Sequence, residues 1–491
     1  MDNWRIFKDE NSLEYKVRPY FNHSVEFKKH CSVEERMKTL EEVGWNVFFY
    51  PAEMVTGCDL LSDSGTTTMT NQQWASMHYG DESYGGNKGY FLLRDKIKSI
   101  FGDDYFNDIS INKPNAFIFH QGRSAEYALF ASVGQLGQGL VIPSNGHFDT
   151  TKANIEINNI SPINLFSKDL RNNESTFPFK GNMDTDKLKS ILIENLGKVP
   201  VIYLTVTNNT GGGQPVSMQN IKEVAKISHT NNIPFFLDAC RFAENAWFIK
   251  NFEEGYKEKS IKDIVKEMFS YVDGFTVSFK KDGLSNMGGG LFIKQGGLFY
   301  EKHSNFLDDI TNYQIGREGN PSYGGMSGRD IMSLVEGLDT VVSEDYLNYR
   351  VRQVQEFGDA MTKRGIPILT PVGGHAVYMD VDRFFEGTDM KPENFGGISF
   401  TALLLGLYGH RACELGHFAF GSLTKDGKDI FPDVNFVRFA VPRLRYEKDD
   451  LESVAESVKC LYDNRDLISG VNVISGKELP LRHFKARFVF K

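Results

Sequence analysis

Between residues 88 and 293 the chain alternates short, largely apolar segments with longer amphipathic ones. The apolar segments are residues 116–119, 140–142, 201–206, 234–237, 271–277 and 291–293, and the amphipathic segments are residues 90–101, 124–133, 185–195 and 218–229. Strands that are apolar on both faces and alternate with amphipathic helices predict a largely parallel sheet covered by helices on both sides. The sequence therefore predicts an α/β fold, in which ligands bind at the carboxyl ends of the strands.

The pattern changes near residue 340. A long helix is predicted at residues 349–364, and strands at 376–379 and 436–441 indicate a second, smaller α/β unit. A length of 491 residues agrees with more than one folded unit. We expect an N-terminal arm that also forms part of the small domain, a large domain and a small C-terminal domain, with bounds at residues 1–65, 66–340 and 341–491.

Composition narrows the class of partner. The formal net charge of -9 argues against nucleic acid as the main partner. The cysteines are few and include no C-x-x-C pair, which is typical of a reducing compartment: Cys31, Cys58, Cys240, Cys413 and Cys460. No apolar run approaches the ~18 residues that a membrane span needs, and the first residues are polar, unlike a secretory signal. We expect a cytoplasmic enzyme with no membrane partner.

Two adjacent lysines, Lys280 and Lys281, follow the apolar segment 271–277 and precede a glycine run at 288–290. Burying an ammonium is costly unless the group is neutralised or paired. A Schiff base with pyridoxal phosphate (PLP) rewards a buried lysine, because burial lowers the pKa of the amine and frees it for attack. From this stretch alone, a solvated strand end remains an equal alternative.

Other polar residues follow predicted strands. Asp238 directly follows one strand, where its carboxylate suits a pyridinium nitrogen or else caps the next helix. Gln121, Gly122 and Arg123 lie where a strand gives way to a helix, which is either an anion site or a simple turn. Arg438, inside an apolar strand, needs a carboxylate from a substrate or from an internal salt bridge.

The glycine-rich segment 209–215 lacks the terminal Lys-Ser/Thr of a P-loop, which disfavours a nucleotide site. It is either a flexible turn or a place where backbone approaches a flat ring closely.

Several longer motifs occur together in one order. They are residues 80–86 (GDESYGG), 120–123 (HQGR), 212–217 (GGQPVS), 241–246 (RFAENA), 280–282 (KKD) and 321–325 (PSYGG). Together they resemble the PLP-dependent β-eliminating lyases, the family of tryptophanase and tyrosine phenol-lyase, from residue 59 to residue 488. The resemblance implies a fold-type I large domain with a mixed, mostly parallel sheet, and a smaller α/β C-terminal domain. It also implies PLP and K⁺ as cofactors, and a homotetramer with active sites at a dimer interface.

The resemblance implies roles around the cofactor. Lys281 would hold PLP covalently, Asp238 would face its ring nitrogen, and Phe148 would stack on its ring. The residues implied for the ring-hydroxyl side are Asn209 and Arg241, and those for the phosphate are Gln121, Gly122, Arg123 and Ser278.

It also implies roles towards substrate and ion. Ser64 and Arg438 would bind the amino-acid carboxylate, and Tyr84, which reaches a neighbouring subunit's site in the family, would help to protonate the leaving group. The K⁺ ion would lie near Gly65, Glu82 and Asn286.

Three positions favour an indole leaving group. Asp149, Leu415 and His483 stand where the phenol enzyme has threonine, arginine and phenylalanine. A carboxylate suits the indole N–H, which only donates, and would repel a developing phenolate. The other interpretation is that Asp149 caps a turn, Leu415 only packs and His483 is an ordinary surface histidine.

We therefore expect α,β-elimination of L-tryptophan to indole, pyruvate and ammonium, with Lys281, Tyr84, Asp149 and His483 as catalytic residues. Tyrosine phenol-lyase activity, or elimination from another β-substituted amino acid, is the alternative. The neighbourhoods of Cys240 and Phe279 and the triplet 288–290 depart from the family pattern, which leaves the exact substrate open. A non-catalytic scaffold is more remote, because the set of Lys281, Asp238 and Arg438 is intact.

Overall fold

The computed structural model describes residues 18–107, 113–172 and 175–491. The first seventeen residues of the predicted arm lie outside these ranges. The α-helices are α1 (Val33–Glu42), α2 (Asn71–Met77), α3 (Lys88–Phe101), α4 (Gly122–Val133), α5 (Asp149–Ile157), α6 (Thr185–Glu194), α7 (Met218–Thr230), α8 (Phe242–Phe252), α9 (Ile261–Ser270), α10 (Leu298–Lys302), α11 (Ser304–Arg317), α12 (Gly328–Val341), α13 (Glu344–Lys363), α14 (Val381–Phe384), α15 (Gly396–Tyr408) and α16 (Lys448–Asp463).

The strands are β1 (Ala116–Phe119), β2 (Val141–Ser144), β3 (Ser161–Asn164), β4 (Ile202–Thr205), β5 (Phe235–Asp238), β6 (Gly274–Ser278), β7 (Gly289–Ile293), β8 (Ala376–Asp380), β9 (Cys413–Leu415), β10 (Ser422–Leu423), β11 (Asp429–Ile430), β12 (Phe436–Ala440), β13 (Val471–Ser475) and β14 (Arg487–Phe490).

A seven-stranded sheet organises the larger part of the chain, in the order β1-β7-β6-β5-β4-β2-β3. The pairs β6–β5, β5–β4, β4–β2 and β2–β3 are parallel. Strand β7 is antiparallel to both of its neighbours, β1 and β6. The predicted α/β class with a mixed, mostly parallel sheet is therefore confirmed.

Alternating side chains of the central strands enter two separate cores. On β4, Ile202 and Leu204 pack into the core on one face of the sheet, and Tyr203 packs into the core on the other. Successive side chains of a strand point to opposite faces, so burial on both sides requires a continuous apolar run. This is the physical reason for the unbroken apolar segments of the sequence.

Strand β6 begins later than its apolar segment. The apolar segment predicts extended backbone from residue 271, but β6 begins at Gly274. The Asp273 side chain just before it accepts hydrogen bonds from the N–H of Phe235 at 2.8 Å and of Leu298 at 2.6 Å. The sequence analysis also missed α5 and the edge strand β3. Both carry many polar residues, so neither shows the hydrophobic pattern of its class.

A smaller antiparallel sheet, β8-β12-β9, lies in the C-terminal part of the chain. Its core joins residues from α13, α15 and α16 to Cys58 and Leu60 of the predicted arm. The bounds of the three domains stay predictions. In the described part of the chain, no helix combines the length and the apolar character needed to cross a membrane.

Candidate active site

A cavity opens at the carboxyl ends of β4, β5 and β6, where the large sheet faces β9, β12 and the C-terminal tail. Most of the residues that the sequence singled out line this cavity. They are Ser64, Gln121, Gly122, Arg123, Phe148, Asp149, Asn209, Asp238, Arg241, Ser278, Lys281, Arg438 and His483. The topology accounts for this convergence, because parallel strands present their carboxyl ends at one edge of the sheet.

The turn after β1 lies against the end of β6. Helix α4 begins at Gly122, and its N-cap residue Gln121 makes no side-chain capping hydrogen bond. A Cβ atom on Gly122 would lie 2.7 Å from the Cβ of Ser278, so only glycine allows this contact. Gly289 is required for the same kind of reason, because a Cβ there would lie 2.3 Å from the carbonyl carbon of Gln121. These glycines bring the open start of α4 directly beside Ser278.

Positive charge gathers at this end of the cavity. Burial, and then the charges of Arg123 and Lys281, lower the pKa of Lys280. A helix start with free N–H groups, beside several cations, is a site that favours an anion such as a phosphate. This cradle fits the phosphate group of PLP, and Lys281, three residues beyond Ser278, lies on the same cavity wall.

Asp238 and Phe148 line the same cavity. Asp238 is 4% exposed and accepts a hydrogen bond from the N–H of Cys240 at 3.3 Å. Phe148 lies at the start of α5, with the Arg438 guanidinium 5.8 Å from its ring centroid. A buried carboxylate and an aromatic face in one cavity suit a protonated pyridine ring.

Asn209 links the large sheet to the small one. Its Oδ1 accepts hydrogen bonds from Tyr378 Oη at 2.5 Å, His375 Nε2 at 3.2 Å and Arg438 Nη1 at 3.3 Å. The glycine run that follows makes room for this contact, because a Cβ on Gly213 would lie 2.8 Å from His375. The glycine run therefore allows the small sheet to pack against the cavity. This close packing accounts for the glycines without a P-loop or a flexible turn.

Arg438 and Arg241 have different partners. Arg438 donates to the carbonyl oxygen of Leu61 at 2.9 Å and makes no ion pair among the described residues, while its Nε has no partner there. An internal salt bridge, one of the two interpretations of Arg438, is thus absent from the described chain. Arg241 instead forms two hydrogen bonds with Asp63, at 2.7 and 3.0 Å. The sequence analysis did not find Asp63.

The far end of the cavity holds a buried hydrogen-bonded pair, Asp149 and His483. His483 Nε2 lies 2.9 Å from Asp149 Oδ2, and the two residues are 3% and 5% exposed. Burial alone would raise the pKa of Asp149, but the hydrogen bond from His483 lowers it below its ordinary value. An ionised carboxylate only accepts, so Nε2 carries the hydrogen. The surface interpretation of His483 is therefore wrong.

Glu126 also lines the cavity, and the sequence analysis missed it. Thr151 Oγ1 donates to Glu126 at 2.6 Å and Asn154 Nδ2 donates at 3.3 Å. Burial and the charge of Asp238 raise the pKa of Glu126 to about 7. The available signal was a lone carboxylate among the apolar residues of α4, where it follows Ala125 and precedes Leu129.

Four predicted residues do not line the cavity. Tyr84 is 74% exposed, with its ring centroid 5.8 Å from that of Tyr323. Asn286 Nδ2 donates to the Gly65 carbonyl oxygen at 3.0 Å, so these two members of the predicted K⁺ site are in contact. The third member, Glu82, forms an ion pair with Arg329 at 2.9 Å.

The family model described as "Beta-eliminating lyase" matches residues 59–457. The chain belongs to the β-eliminating lyase family. It is 38% identical to the tryptophanase of Hyphomonas neptunium over 473 residues, which covers 96% of this chain and 98% of the relative. It is also 39% identical to the tyrosine phenol-lyase of Clostridium tetani over 477 residues, which covers 97% and 98%. Overall identity therefore does not decide between the two activities.

The fold of this lyase is that of the fold-type I PLP enzymes. Aspartate aminotransferase of Thermotoga maritima superposes with a TM-score of 0.56 at 13% identity, covering 88% of this chain and 98% of the other. Together, the family and the fold show that the chain is a PLP-dependent lyase. The sequence-based prediction of family, fold and enzyme class is confirmed.

Proposed function

We propose that this lyase catalyses the α,β-elimination of L-tryptophan to indole, pyruvate and ammonium. The observation that carries the proposal is the buried Asp149–His483 pair at the end of the cavity. In the neutral imidazole, Nε2 donates its hydrogen to Asp149 and Nδ1 is an acceptor, and within the described chain His483 Nδ1 has no partner. The indole N–H only donates and therefore matches an acceptor. A phenolate would instead meet the charge of Asp149, whose lowered pKa keeps it ionised at neutral pH.

The walls at this end suit a flat apolar leaving group. The ring centroids of His483 and Phe484 are 4.1 Å apart, and those of Phe48 and Phe484 are 4.6 Å apart. Leu415 lines the same cavity with an apolar side chain. An aromatic wall stabilises a planar hydrocarbon surface through burial and edge-to-face contacts, and Leu415 offers no cation for a phenol oxygen.

Bound PLP supplies the electron sink that makes the α-proton of the amino acid acidic. We assign the removal of that proton to the amine of Lys281, and the retention of a proton at the ring nitrogen to Asp238. Phe148 would stack on the ring. The remaining assignments are Gln121, Gly122, Arg123 and Ser278 to the phosphate, Asn209 and Arg241 to the ring-hydroxyl side, and Ser64 and Arg438 to the substrate carboxylate.

Arg438 is suited to its assignment because it is buried without a carboxylate partner among the described residues. Burying an arginine is costly unless a counter-charge is present. The carboxylate of the amino acid supplies that charge and orients the α-carbon towards Lys281.

Several further assignments concern assembly. Tyr84 is exposed in the single chain, which agrees with a role in protonating the leaving group in the site of a second copy. We propose a homotetramer with active sites at a dimer interface, and K⁺ bound near Gly65, Glu82 and Asn286. We also propose a cytoplasmic location.

The test is to incubate the purified protein, with PLP and K⁺, with L-tryptophan and L-tyrosine in parallel. Indole from the first and no phenol from the second is the expected result. Phenol alone would overturn the tryptophan assignment within the same family. Pyruvate from neither, in a protein that shows the yellow colour of lysine-bound PLP, would mean that a different side chain leaves.

A further inference from the structure

Six charged side chains form a buried cluster beside the cavity, and two of them, Asp63 and Arg241, also line it. We call it the six-charge cluster, and it consists of Asp63, Arg241, Glu244, Asp282, Arg350 and Arg443. Each is at most 2% exposed. Three carboxylates face three guanidinium groups, so the formal charges cancel. Charges as deeply buried as these are tolerated only when they are paired and hydrogen-bonded.

Arg443 is the centre of the cluster because it contacts all three carboxylates. Its Nη1 donates to Asp63 at 3.0 Å, and its Nη2 donates to both Glu244 and Asp282 at 2.8 Å. Each of the other two arginines donates to one carboxylate: Arg241 to Asp63 at 2.7 Å, and Arg350 to Glu244 at 3.0 Å. A planar guanidinium with its donors in a fixed fork can hold several oxygens at set positions, whereas an ammonium is a single point charge.

Two of the carboxylates bound by Arg443 are adjacent along the chain to a residue of the cavity. Asp63 precedes Ser64, and Asp282 follows Lys281. Asp282 also accepts hydrogen bonds from the N–H of Ala243 at 2.9 Å and of Glu244 at 3.2 Å, at the start of α8. Arg443 itself follows β12, the strand that carries Arg438. The Arg443 guanidinium therefore connects the small sheet to three other segments: the turn that carries Lys281, the N-terminal arm at Asp63, and the start of α8.

We propose that Arg443 is a positioning residue, which holds the turn carrying Lys281 at a fixed position relative to Arg438. The six-charge cluster must be electroneutral for Arg443 to hold this turn in place. The inference rests on the proposed roles of Lys281 and Arg438, but not on the identity of the leaving group. Displacing a reacting group by about 1 Å can lower a rate about 100-fold. Loss of Arg443 should therefore act mainly on kcat.

The charge balance of the six-charge cluster predicts a second effect of losing Arg443, namely a pH-dependent loss of stability. Without Arg443 the cluster carries one excess negative charge, and Asp282 then faces Glu244 and Asp63 with fewer counter-charges. Burial and the charge of Glu244 already raise the pKa of Asp282 to about 6. The other groups beside the Asp282–Glu244–Arg443 contact are Arg241, Arg350 and the phenol of Tyr346 on α13, with Lys281 next in sequence. A cluster without Arg443 should therefore be less stable as the pH rises through neutrality, because ionised carboxylates then repel one another.

The experiment compares the wild-type holoenzyme with Arg443→Met, Arg443→Met/Asp282→Asn, Arg443→Lys and the control Arg445→Met. Arg445 is on the same segment but is exposed. The double variant restores neutrality, and its asparagine side chain keeps an oxygen for the N–H groups at the start of α8. Activity is measured as pyruvate release from S-phenyl-L-cysteine, whose thiolate leaves without help from the far end of the cavity. Stability is measured as the midpoint of thermal unfolding between pH 6 and pH 8.5.

We expect Arg443→Met to lower kcat about 10- to 100-fold with less than about a threefold change in KM, and its midpoint to fall as the pH rises. The double variant should regain the wild-type pH dependence of unfolding while kcat stays low. Arg443→Lys should show an intermediate kcat, because its single ammonium cannot hold the three carboxylates at once. Arg445→Met should resemble the wild type in every respect.

Two results would overturn the proposal. A kcat for either Arg443→Met variant within twofold of that of Arg445→Met would remove the positioning role. If the thermal unfolding midpoint of the double variant is no higher than that of Arg443→Met, the cluster does not need to be electroneutral. If Arg443→Met does not fold, the double variant and Arg443→Lys decide both points. A wild-type protein that releases no pyruvate from the probe would count against the proposed chemistry, while the unfolding comparison would still test the cluster.

Discussion

The two ends of the cavity are built in different ways. The proposed cofactor end is lined by the turn after β1, by Phe148 after β2 and by the carboxyl ends of β5 and β6, which are strands of one sheet. The proposed leaving-group end is lined by Phe48 from the arm, Asp149 from α5, Leu415 from β9, and His483 and Phe484 from the tail. The first end follows from the topology of a single sheet. The second exists only when four separate parts of the chain meet.

We expect this difference to separate residues that act on the steps common to all substrates from residues that select the leaving group. Changes at the cofactor end should lower turnover of every substrate, because they act on steps that all β-eliminations share. Changes at the leaving-group end should alter the ranking of substrates and leave the shared steps intact. The predictions below test this division.

The largest effect is expected for Lys281→Ala. Removing the amine should lower kcat by at least about 10²–10⁴-fold, the usual contribution of one positioned proton-transfer group. The loss should be equal for L-tryptophan and S-phenyl-L-cysteine, and the yellow colour of lysine-bound PLP should disappear. Lys266→Ala, an exposed lysine on α9, is the matched control. Wild-type activity in Lys281→Ala would show that another residue removes the α-proton.

Arg438→Met should mainly weaken substrate binding. The loss of a hydrogen bond to a charged group should raise KM about 10- to 100-fold, again for both substrates, because every amino acid carries the carboxylate. Steady-state kinetics with the two substrates measure this directly. An increase in KM for only one of the two substrates would mean that Arg438 acts at the leaving-group end of the cavity.

Asp149→Thr and His483→Phe should act on tryptophan alone. Either change removes part of the acceptor pair for the indole N–H, so kcat/KM for L-tryptophan should fall about tenfold or more. The value for S-phenyl-L-cysteine should stay within about threefold, since its leaving group has no N–H. Equal losses for both substrates would show that the pair supports the shared chemistry.

The smallest effect is expected for Glu126→Gln, measured on the cofactor-free protein. The folded-state pKa of Glu126 is raised from 4.5 to about 7, so the folded state binds more protons than the unfolded state between these values. Its contribution to stability is therefore present at low pH and is lost as the pH rises through about 7. Glutamine cannot ionise, so the variant should lose less stability than the wild type between pH 5 and pH 8, by about 1–3 kcal/mol. The free energy of unfolding is measured with denaturant at each pH. An equal loss between pH 5 and pH 8 in the wild type and in Glu126→Gln would contradict a raised pKa of Glu126.

Local features of the fold were predictable from the sequence. Strand β1 has the predicted bounds, and β5 ends at Asp238 next to its predicted end. These strands are buried on both faces, so their apolar runs are unambiguous. The polar helix α5 and the edge strand β3 were missed because partial exposure removes that signal.

The site was predictable only in part. Residues within a continuous motif, such as Gln121, Gly122 and Arg123, could be singled out because the motif is local, and they line the cavity. Asp63 and Glu126 were missed, since each acquires its significance from a partner elsewhere in the chain, Arg241 for the first and Asp238 for the second.

The fold class and the family could be predicted from the sequence alone, and so could the stretch around Lys281 to which we assign the cofactor. These follow from apolar periodicity and from short motifs, which report interactions between neighbours in the chain. Only the tertiary structure decided that His483 is buried against Asp149 and that Arg443 joins three carboxylates. The physical reason is burial. A charged group is tolerated in the interior only when it is paired or hydrogen-bonded, and its partner comes from a distant segment which only folding brings near.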